Sequence, residues 1–482
     1  MAYAKEEDPL LPRDRQAPEI QSSRAGSIND IRNEEAQEPK SDARPSRQVL
    51  NDLMALVIGL SAVFVFATVF FPSDVFGDGK PQPKTIDQRV SSILADTPLI
   101  DGHNDLAILI RFLYNNHIYD DKFKKPFEDG GTPAHVDLPR LKEGKQGGAF
   151  WSAFVPCPAN GSDFSNENYA KSVAFTLDQI DLLTRLQAAY PSRFSAQVNS
   201  SNAFDAFKAG QLISPLAIEG LHQIGNSLSN LRLFYSLGVR YSTLTHNCHN
   251  KYADAALVEI PGGTTKATPY WGGVSPDGQE LVLEMNRLGM IVDLAHVSQD
   301  TMRDVLGAGK WEGSKAPIIY SHSSAFAICP HPRNVPDDIL QLVKKTNSVV
   351  MVNFSPDFVS CTASDKSSGL PDFYPPNSTL AHVVTHIIHI GELIGYDHVG
   401  LGSDFDGIPS TPAGLDDVSK FPDLVAEMLK RGISDKDASK VVGGNVLRVW
   451  ADVDKVALDF QEKGTEPAED KLPDLRSETM WI

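Results

Sequence analysis

Apolar residues fall into short runs that alternate with longer segments of helical spacing from about residue 85 onward. The runs are rich in β-branched and aromatic residues, which is typical of buried strands. In the longer segments, apolar residues recur every three or four positions, which predicts amphipathic helices. The predicted strands are 98–106, 147–156, 215–220, 239–246, 290–298, 317–323, 348–355 and 398–407, and the predicted helices include 168–189, 223–237, 278–288, 335–346 and 379–395.

Eight strands that alternate with helices over roughly 350 residues predict a (β/α)8 barrel of the TIM type. An open parallel sheet fits less well, because the chain has no glycine-rich phosphate loop of the dinucleotide-binding kind. Polar side chains occur where the predicted strands end, and in a barrel these carboxyl ends meet on one face. The residues at these ends are His103, Asp105, Glu219, His246, His296, His322, Asp404 and Asp406.

Histidine and carboxylate side chains at the strand ends predict a metal centre. His103 and Asp105 are two positions apart, so a strand places both on the same face. Glu219 has two oxygens and could bridge their metal to a second one held by His296 and His322. Nitrogen and oxygen ligands without a thiolate favour zinc, with manganese or cobalt as alternatives. We therefore expect two Zn²⁺ per chain.

One long apolar segment precedes the predicted barrel. Residues 53–71 carry no charge over 19 positions, and as a helix they would span roughly 28 Å, about one bilayer core. We interpret them as a transmembrane signal anchor, with a buried core helix as the alternative. Residues 1–52 are rich in Pro, Ser, Arg and Glu, which predicts a disordered tail. The bias of Lys and Arg toward this tail places it in the cytosol.

This orientation predicts a type II membrane protein whose barrel is lumenal or extracellular. Residues 6–11 resemble the acidic dileucine signals of vacuolar and endosomal membrane proteins, and the plasma membrane is the alternative. Four cysteines lie beyond the anchor, where two disulfides are plausible with three possible connectivities. Predicted glycosylation sites on this side are Asn160, Asn199 and Asn377.

The chain has 482 residues and a formal charge of −18, from 44 basic and 62 acidic side chains. It lacks the concentrated basic surface that binds phosphates, so no nucleic-acid partner is expected. A hydrophobic content of 41% and a charged content of 22% are typical of a globular protein. We divide the chain into a tail (1–52), an anchor (53–71), a linker (72–87), a barrel (88–455) and a C-terminal extension (456–482).

The strand-end motifs together resemble the membrane dipeptidase family, also called renal dipeptidases, which are binuclear zinc peptidases with an amidohydrolase-type barrel. The resemblance covers roughly residues 88–455, and the order and spacing of the motifs agree as well as their residues. The motifs are DGHND (101–105), IEG (218–220), LTH (244–246), DLAHVS (293–298), SHSSA (321–325), RNVPDD (333–338), GSDFDG (402–407) and GGNVLR (443–448).

The resemblance implies hydrolysis of dipeptides by a hydroxide that bridges two zinc ions. The resemblance implies the same grouping of ligands as the spacing. His103, Asp105 and Glu219 would hold one ion, and Glu219, His296 and His322 the other. It also implies that His246 binds the oxyanion and that Arg333 binds the free carboxylate of the dipeptide. Asp404 would pass a proton from the attacking water to the leaving amine, and Asp406 would support its loop.

The same resemblance implies a pairing of the cysteines, Cys157 with Cys248 and Cys329 with Cys361. This pairing leaves no thiol for a bridge between subunits, and a non-covalent homodimer stays open. Family members in animals are often held by a lipid anchor, which needs a hydrophobic C-terminal tail. Residues 470–482 are polar, so the anchor at 53–71 would hold this chain at the membrane.

Two alternatives to dipeptide hydrolysis stay open from the sequence alone. The same metal site could act on a lactam or on a cysteinylglycine-type conjugate. A protein of a different class, an inactive membrane-anchored binding protein, would be expected to lack a metal ligand or Arg333. Every one of these residues is present.

Overall fold

This computed structural model of the protein describes residues 47–48, 51–52, 54–59 and 84–472. The chain divides into two units, Met1–Gln82 and Pro83–Ile482. The described residues of the first unit are helical and exposed. The predicted tail and the predicted anchor otherwise lie outside the described residues, and within the described part no helix is both long and apolar enough to cross a membrane.

The second unit contains a closed barrel of eight parallel strands. The strands of residues 84–472 are β1 (Leu99–Asn104), β2 (Gln146–Ser152), β3 (Leu216–Glu219), β4 (Val239–Thr243), β5 (Leu257–Ile260), β6 (Gly263–Lys266), β7 (Ile291–Asp293), β8 (Ile319–Tyr320), β9 (Val349–Val352), β10 (Cys361–Thr362), β11 (Asp372–Phe373) and β12 (Val399–Leu401). The ring order is β1, β12, β9, β8, β7, β4, β3 and β2, while β5–β6 and β10–β11 form antiparallel hairpins. Each predicted strand overlaps one barrel strand, so the predicted (β/α)8 barrel is confirmed.

Helices follow most barrel strands. The α-helices of residues 84–472 are α1 (Ile86–Asp96), α2 (Leu106–Tyr114), α3 (Asp121–Asp129), α4 (Leu138–Glu143), α5 (Asn166–Ala189), α6 (Ser200–Lys208), α7 (Leu228–Ser236), α8 (Pro276–Leu288), α9 (Gln299–Val305), α10 (Asp337–Lys345), α11 (Pro356–Val359), α12 (Leu380–Ile394), α13 (Phe421–Lys430), α14 (Asp435–Ser439) and α15 (Asn445–Glu462). The predicted helix 223–237 is shorter than expected. Gly225 is left-handed, and the Ser227 hydroxyl caps the helix that begins at Leu228.

The last helix packs against the side chains inside the barrel. Val446, Val449 and Trp450 of α15 belong to the same buried cluster as Ile100 and Phe150 from the barrel strands. The ring centroids of Phe150 and Trp450 are 5.5 Å apart. These apolar contacts fill the interior of the barrel away from the polar strand ends, which remain available for chemistry.

Two disulfides join Cys157 to Cys248 and Cys329 to Cys361, which confirms the pairing that the resemblance implies. The first connects the segments that follow β2 and β4. All three asparagines of the predicted glycosylation sites are exposed, and their glycosylation stays a prediction.

Candidate active site

Glu219 lies at the centre of the five predicted metal ligands. It is the last residue of β3, and its Oε1 is 2.9 Å from Nε2 of His296 and 3.5 Å from Nε2 of His322. Its Oε2 is 3.5 Å from Nε2 of His103, which in turn is 3.0 Å from Oδ2 of Asp105. All five side chains are buried. The structure therefore brings the predicted ligands from four strands to one point.

Hydrogen bonds orient the lone pairs of two histidines toward this point. The Ser321 hydroxyl donates to Asp293, so Nδ1–H of His322 donates to Ser321 at 2.8 Å and leaves its Nε2 unprotonated. In the same way, Nδ1–H of His296 donates to Oδ1 of Asn247 at 3.0 Å. Burial lowers the pKa of both histidines well below its ordinary value. Their two Nε2 atoms are only 3.0 Å apart, and lone pairs at that distance repel unless a cation lies beside them.

The third histidine faces the two carboxylates. The Tyr241 hydroxyl donates to the carbonyl of Gly102, so Nδ1–H of His103 donates to Tyr241 at 2.7 Å. Burial by itself would lower the pKa of His103, but Tyr241, Glu219 and Asp105 raise it well above its ordinary value. The carboxylates thus favour a positive charge at Nε2. Imidazole nitrogens and carboxylates that converge in this way fit a divalent metal such as zinc, whose positive charge would take the place of the proton on His103.

Left-handed backbone conformations occur at several site residues. His296, Asp404 and Asp406 have φ values of 65°, 66° and 67°, a conformation that is unfavourable for residues other than glycine. Gly407 follows at a point of close approach: a Cβ there would lie 2.2 Å from Oδ2 of Asp105 and 2.6 Å from Oδ1 of Asp404. Only glycine fits at position 407 without displacing these carboxylates.

For the dipeptide hydrolysis expected from the sequence, replacing Gly407 with alanine should lower kcat/KM about a hundredfold, because the new methyl group displaces both carboxylates. The urea midpoint of the metal-free protein should change little. Gly161→Ala is a suitable control, since a Cβ at position 161 makes only an ordinary contact at 3.8 Å. Equal activities of the two variants would contradict this account of the close approach.

Arg333 is a buried cation with free hydrogen-bonding capacity. Its Nη2 donates to Nε2 of His322 at 2.8 Å, and its guanidinium lies 5.1 Å from the ring centre of Phe358. Its Nε and Nη1 have no hydrogen-bond partner within residues 84–472. Burial lowers its pKa to about 10, which still leaves the side chain charged at neutral pH. Buried N–H groups without partners are unfavourable, so an anionic ligand that accepts from them would be favoured.

Asp404 and His246 lie on the rim of the metal centre. Oδ2 of Asp404 accepts from Nδ2 of Asn353 at 3.1 Å, and burial raises the Asp404 pKa to about 7. The ring of His246 lies 4.4 Å from that of His296, and burial lowers the His246 pKa well below its ordinary value. Sγ of Cys157 is 3.7 Å from Nδ1 of His246, so the first disulfide supports this side of the site.

The raised pKa of Asp404 predicts a pH-dependent stability of the metal-free protein. Between its unfolded pKa of 3.8 and about 7, the folded state holds the proton more tightly, so stability falls as pH rises through this window. Asp404→Asn removes this contribution. In denaturant unfolding, the variant should gain up to about 4 kcal/mol over the wild type above pH 7 and almost nothing near pH 4, since one unit of pKa difference corresponds to about 1.4 kcal/mol. A gain that does not vary with pH would contradict the assignment.

A cavity of about 340 Å³ opens onto the centre, a volume within the range of small-molecule sites. Its polar residues are Asp105, Glu219, His246, Asn247, His296, Arg333, Ser355, Asp404 and Asp406. Its apolar residues are Ile108, Leu109, Phe112, Phe154, Phe358, Ile408 and Pro409. Most of the polar residues could be predicted from the sequence, and none of the apolar residues could.

The hydrogen bonds that orient the metal-binding histidines are the main feature of the site that could not be predicted from the sequence. Asn247 follows His246 directly, and Asp293 and Ser321 belong to the quoted motifs. The sequence therefore placed these three residues close to the metal ligands, although it did not show their hydrogen bonds. Tyr241 and Asn353 lie within apolar strand patterns that gave none. Such partners fix the tautomer and the orientation of metal-binding histidines.

Asp406 bonds to the segment that precedes α4, and its role in supporting the loop stays a prediction. Its Oδ1 accepts from the backbone N–H of His135 at 2.8 Å, and its own N–H donates to Nδ1 of His135 at 2.9 Å. These two bonds tie the loop after β12 to the segment before α4.

Comparison with known families and proteins gives a consistent result. Residues 87–464 match the family described as Membrane dipeptidase (Peptidase family M19). The dipeptidase aclJ of Aspergillus oryzae is 42% identical over 421 residues, which cover 87% of this chain and 92% of that protein. The dipeptidase tcpJ of Claviceps purpurea is 44% identical over 376 residues, which cover 78% of this chain and 81% of that protein.

Solved structures also resemble the barrel. A metallo peptidase from Rhodobacter sphaeroides, solved with a phosphinate mimic of the dipeptide L-Ala-D-Ala, has a TM-score of 0.61 and 25% identity, covering 74% of this chain and 99% of that chain. The probable dipeptidase PvdM from Pseudomonas aeruginosa has a TM-score of 0.66 and 23% identity, covering 78% of this chain and all of that chain, and at that identity it supports the fold alone.

Proposed function

Because the chain belongs to the membrane dipeptidase family and is a metallo-dipeptidase, we propose that it hydrolyses dipeptides at a centre of two zinc ions. The observation that carries this proposal is the convergence of three imidazole nitrogens and two carboxylates around one point. His103, Asp105 and Glu219 would hold one ion, and Glu219, His296 and His322 the other. An inactive binding protein is not supported, since the chain is a metallo-dipeptidase and retains every predicted ligand.

Side chains around the centre are suited to peptide hydrolysis. Zinc ions bound there would supply a bridging water of lowered pKa as the nucleophile. Asp404, with a pKa near 7, is able to accept the proton of this water and to return it to the leaving amine. His246 lies at the rim of the cavity, where its ring N–H can donate to the carbonyl oxygen as negative charge develops.

Arg333 accounts for a preference for dipeptides. Its free N–H groups can bind a carboxylate in a bidentate manner, and the carboxylate nearest to a scissile peptide bond is that of a dipeptide. A longer peptide would place an amide at Arg333 and leave the buried charge unpaired, which is unfavourable.

The proposal can be tested with the full-length protein. We expect two zinc ions per chain by metal analysis, hydrolysis of dipeptides, loss of activity with a chelator and recovery with Zn²⁺. Tripeptides and C-terminally amidated dipeptides should be poor substrates, and a lactam and a cysteinylglycine conjugate should be included as alternative substrates. Protein that binds no metal, or that hydrolyses no dipeptide when Zn²⁺ is supplied, would contradict the proposal.

We propose that the barrel resides on the lumenal or extracellular side of a membrane, held by residues 53–71. Two disulfides and exposed sequons support an oxidising compartment of the secretory system. Treatment with an endoglycosidase should lower the apparent mass, and Asn→Gln changes at positions 160, 199 and 377 should remove that shift. A protein that carries no glycan in its native host, with all cysteines reduced, would contradict this location.

A further inference from the structure

We propose that the cavity selects dipeptides whose amino-terminal residue carries a large apolar side chain. This side chain would pack against an apolar wall formed by Ile108, Leu109 and Phe112 of α2 together with Ile408 and Pro409 of the loop after β12. The inference rests on the proposed function and goes further by naming the substrate class.

The apolar wall begins directly beside the metal ligands. Asp105 precedes α2, and Ile108 and Phe112 lie one helical turn apart, with Leu109 next to them on the same face. Ile108 is buried and Leu109 is half-buried, whereas Phe112 is 73% exposed at the rim. The wall therefore runs from the metal centre to the mouth of the cavity.

The position of the wall assigns it to the amino-terminal residue of the substrate. Arg333 follows β8, which is three strands away from β1 in the ring, so the guanidinium and α2 lie on different sides of the mouth. A dipeptide with its carboxylate at Arg333 and its carbonyl near Glu219 extends its amino-terminal residue away from Arg333. Phe358, which contacts Arg333, belongs to the carboxylate side instead.

The exposure of Phe112 provides the driving force for this selection. Covering an exposed phenyl ring with apolar surface removes the ring from water, which lowers the free energy of the complex. Exposed apolar residues that continue a ligand cavity mark an interaction surface. Glycine at the amino-terminal position would leave the ring uncovered, and a charged side chain would lose hydration against the wall without gaining a partner there.

The chain provides a matched control for the test. Leu113 is the neighbour of Phe112 on α2 and is also an exposed apolar residue, at 47%, but it does not line the cavity. The experiment compares Phe112→Ala, Leu113→Ala and the wild type, each as full-length protein loaded with Zn²⁺. The substrates are Phe-Gly, its positional isomer Gly-Phe, and Gly-Gly.

We expect the wild type to favour Phe-Gly over Gly-Gly. Phe112→Ala should lower kcat/KM for Phe-Gly about tenfold, mostly through KM, and should change Gly-Gly and Gly-Phe by less than about twofold. Leu113→Ala should leave all three substrates unaffected.

Several results would overturn the inference while the proposed function stands. These are a wild type that prefers Gly-Gly, an equal effect of Phe112→Ala on all three substrates, and an effect on Gly-Phe alone. An equal loss in Leu113→Ala would overturn it too, because the effect would then belong to the helix rather than to the wall. A wild type that hydrolyses no dipeptide at all would refute the proposed function and this inference together.

Discussion

Replacing Glu219 with glutamine is expected to remove almost all dipeptidase activity. Oε1 and Oε2 of this side chain lie close to three histidines, so under the proposed function this carboxylate would bind both ions. Glutamine keeps the size of the side chain but loses the charge and one ligand oxygen. Since a catalytic metal contributes several kcal/mol to transition-state stabilisation, we expect kcat/KM to fall at least about a thousandfold.

Metal binding and stability separate this effect from misfolding. The metal-free variant should be at least as stable as the wild type, because it no longer buries an ionisable carboxyl group whose pKa is raised by burial. Zn²⁺ should raise the Tm of the wild type and have little effect on the variant. Glu312→Gln, at an exposed residue whose side chain pairs with Lys315, is the control. A Glu219→Gln protein with full zinc content and wild-type activity would refute the bridging role.

Replacing Arg333 with alanine is the second change with a large expected effect. It removes a buried cation with two free donor groups from the cavity. Truncating one partner of a buried charged pair costs about 3 kcal/mol, which is roughly a hundredfold in kcat/KM for dipeptides with a free carboxylate. For C-terminally amidated dipeptides, which present no carboxylate to Arg333, the loss should be much smaller.

The comparison of the two substrate types is the measurement that matters for Arg333. Arg303→Ala removes a guanidinium paired with Asp338 on the outside of the barrel, and it should leave both substrates unaffected. Equal losses of Arg333→Ala on free and amidated dipeptides would remove the carboxylate from the explanation. They would instead point to the hydrogen bond from Arg333 to His322 as the cause.

Much of the fold could be predicted because strand ends carry polar residues in a regular order. The lengths of the strands could not. The runs 290–298 and 317–323 are mostly loop, with only Ile291–Asp293 and Ile319–Tyr320 in β7 and β8. Leu294 and Val297 are buried although they lie beyond the strand, so their hydrophobicity reflects burial under the active-site loops rather than strand pairing.

In the candidate site, too, some residues could be predicted from the sequence pattern and others could not. The metal ligands are histidines and carboxylates at the ends of apolar strands. Because the packing of a core rarely needs such residues there, their repeated occurrence predicted a shared site. Tyr241 is different, because a tyrosine in an apolar strand is an ordinary core residue until its hydroxyl is seen against His103. The apolar wall was likewise missed, since the apolar face of α2 looks like that of any helix packed on a barrel.

The closure of the barrel determines at which stage of protein synthesis the metal-binding residues can come together. Asp101 at the start of the ring accepts a hydrogen bond from Ser403, 302 positions later, and β1 pairs directly with β12. The last helix then fills the same interior as the early strands. A ribosome must therefore have made almost the whole chain before His103 and Asp404 can meet. We therefore expect the complete site to become available to zinc only after most of the chain has been synthesised and the barrel has closed.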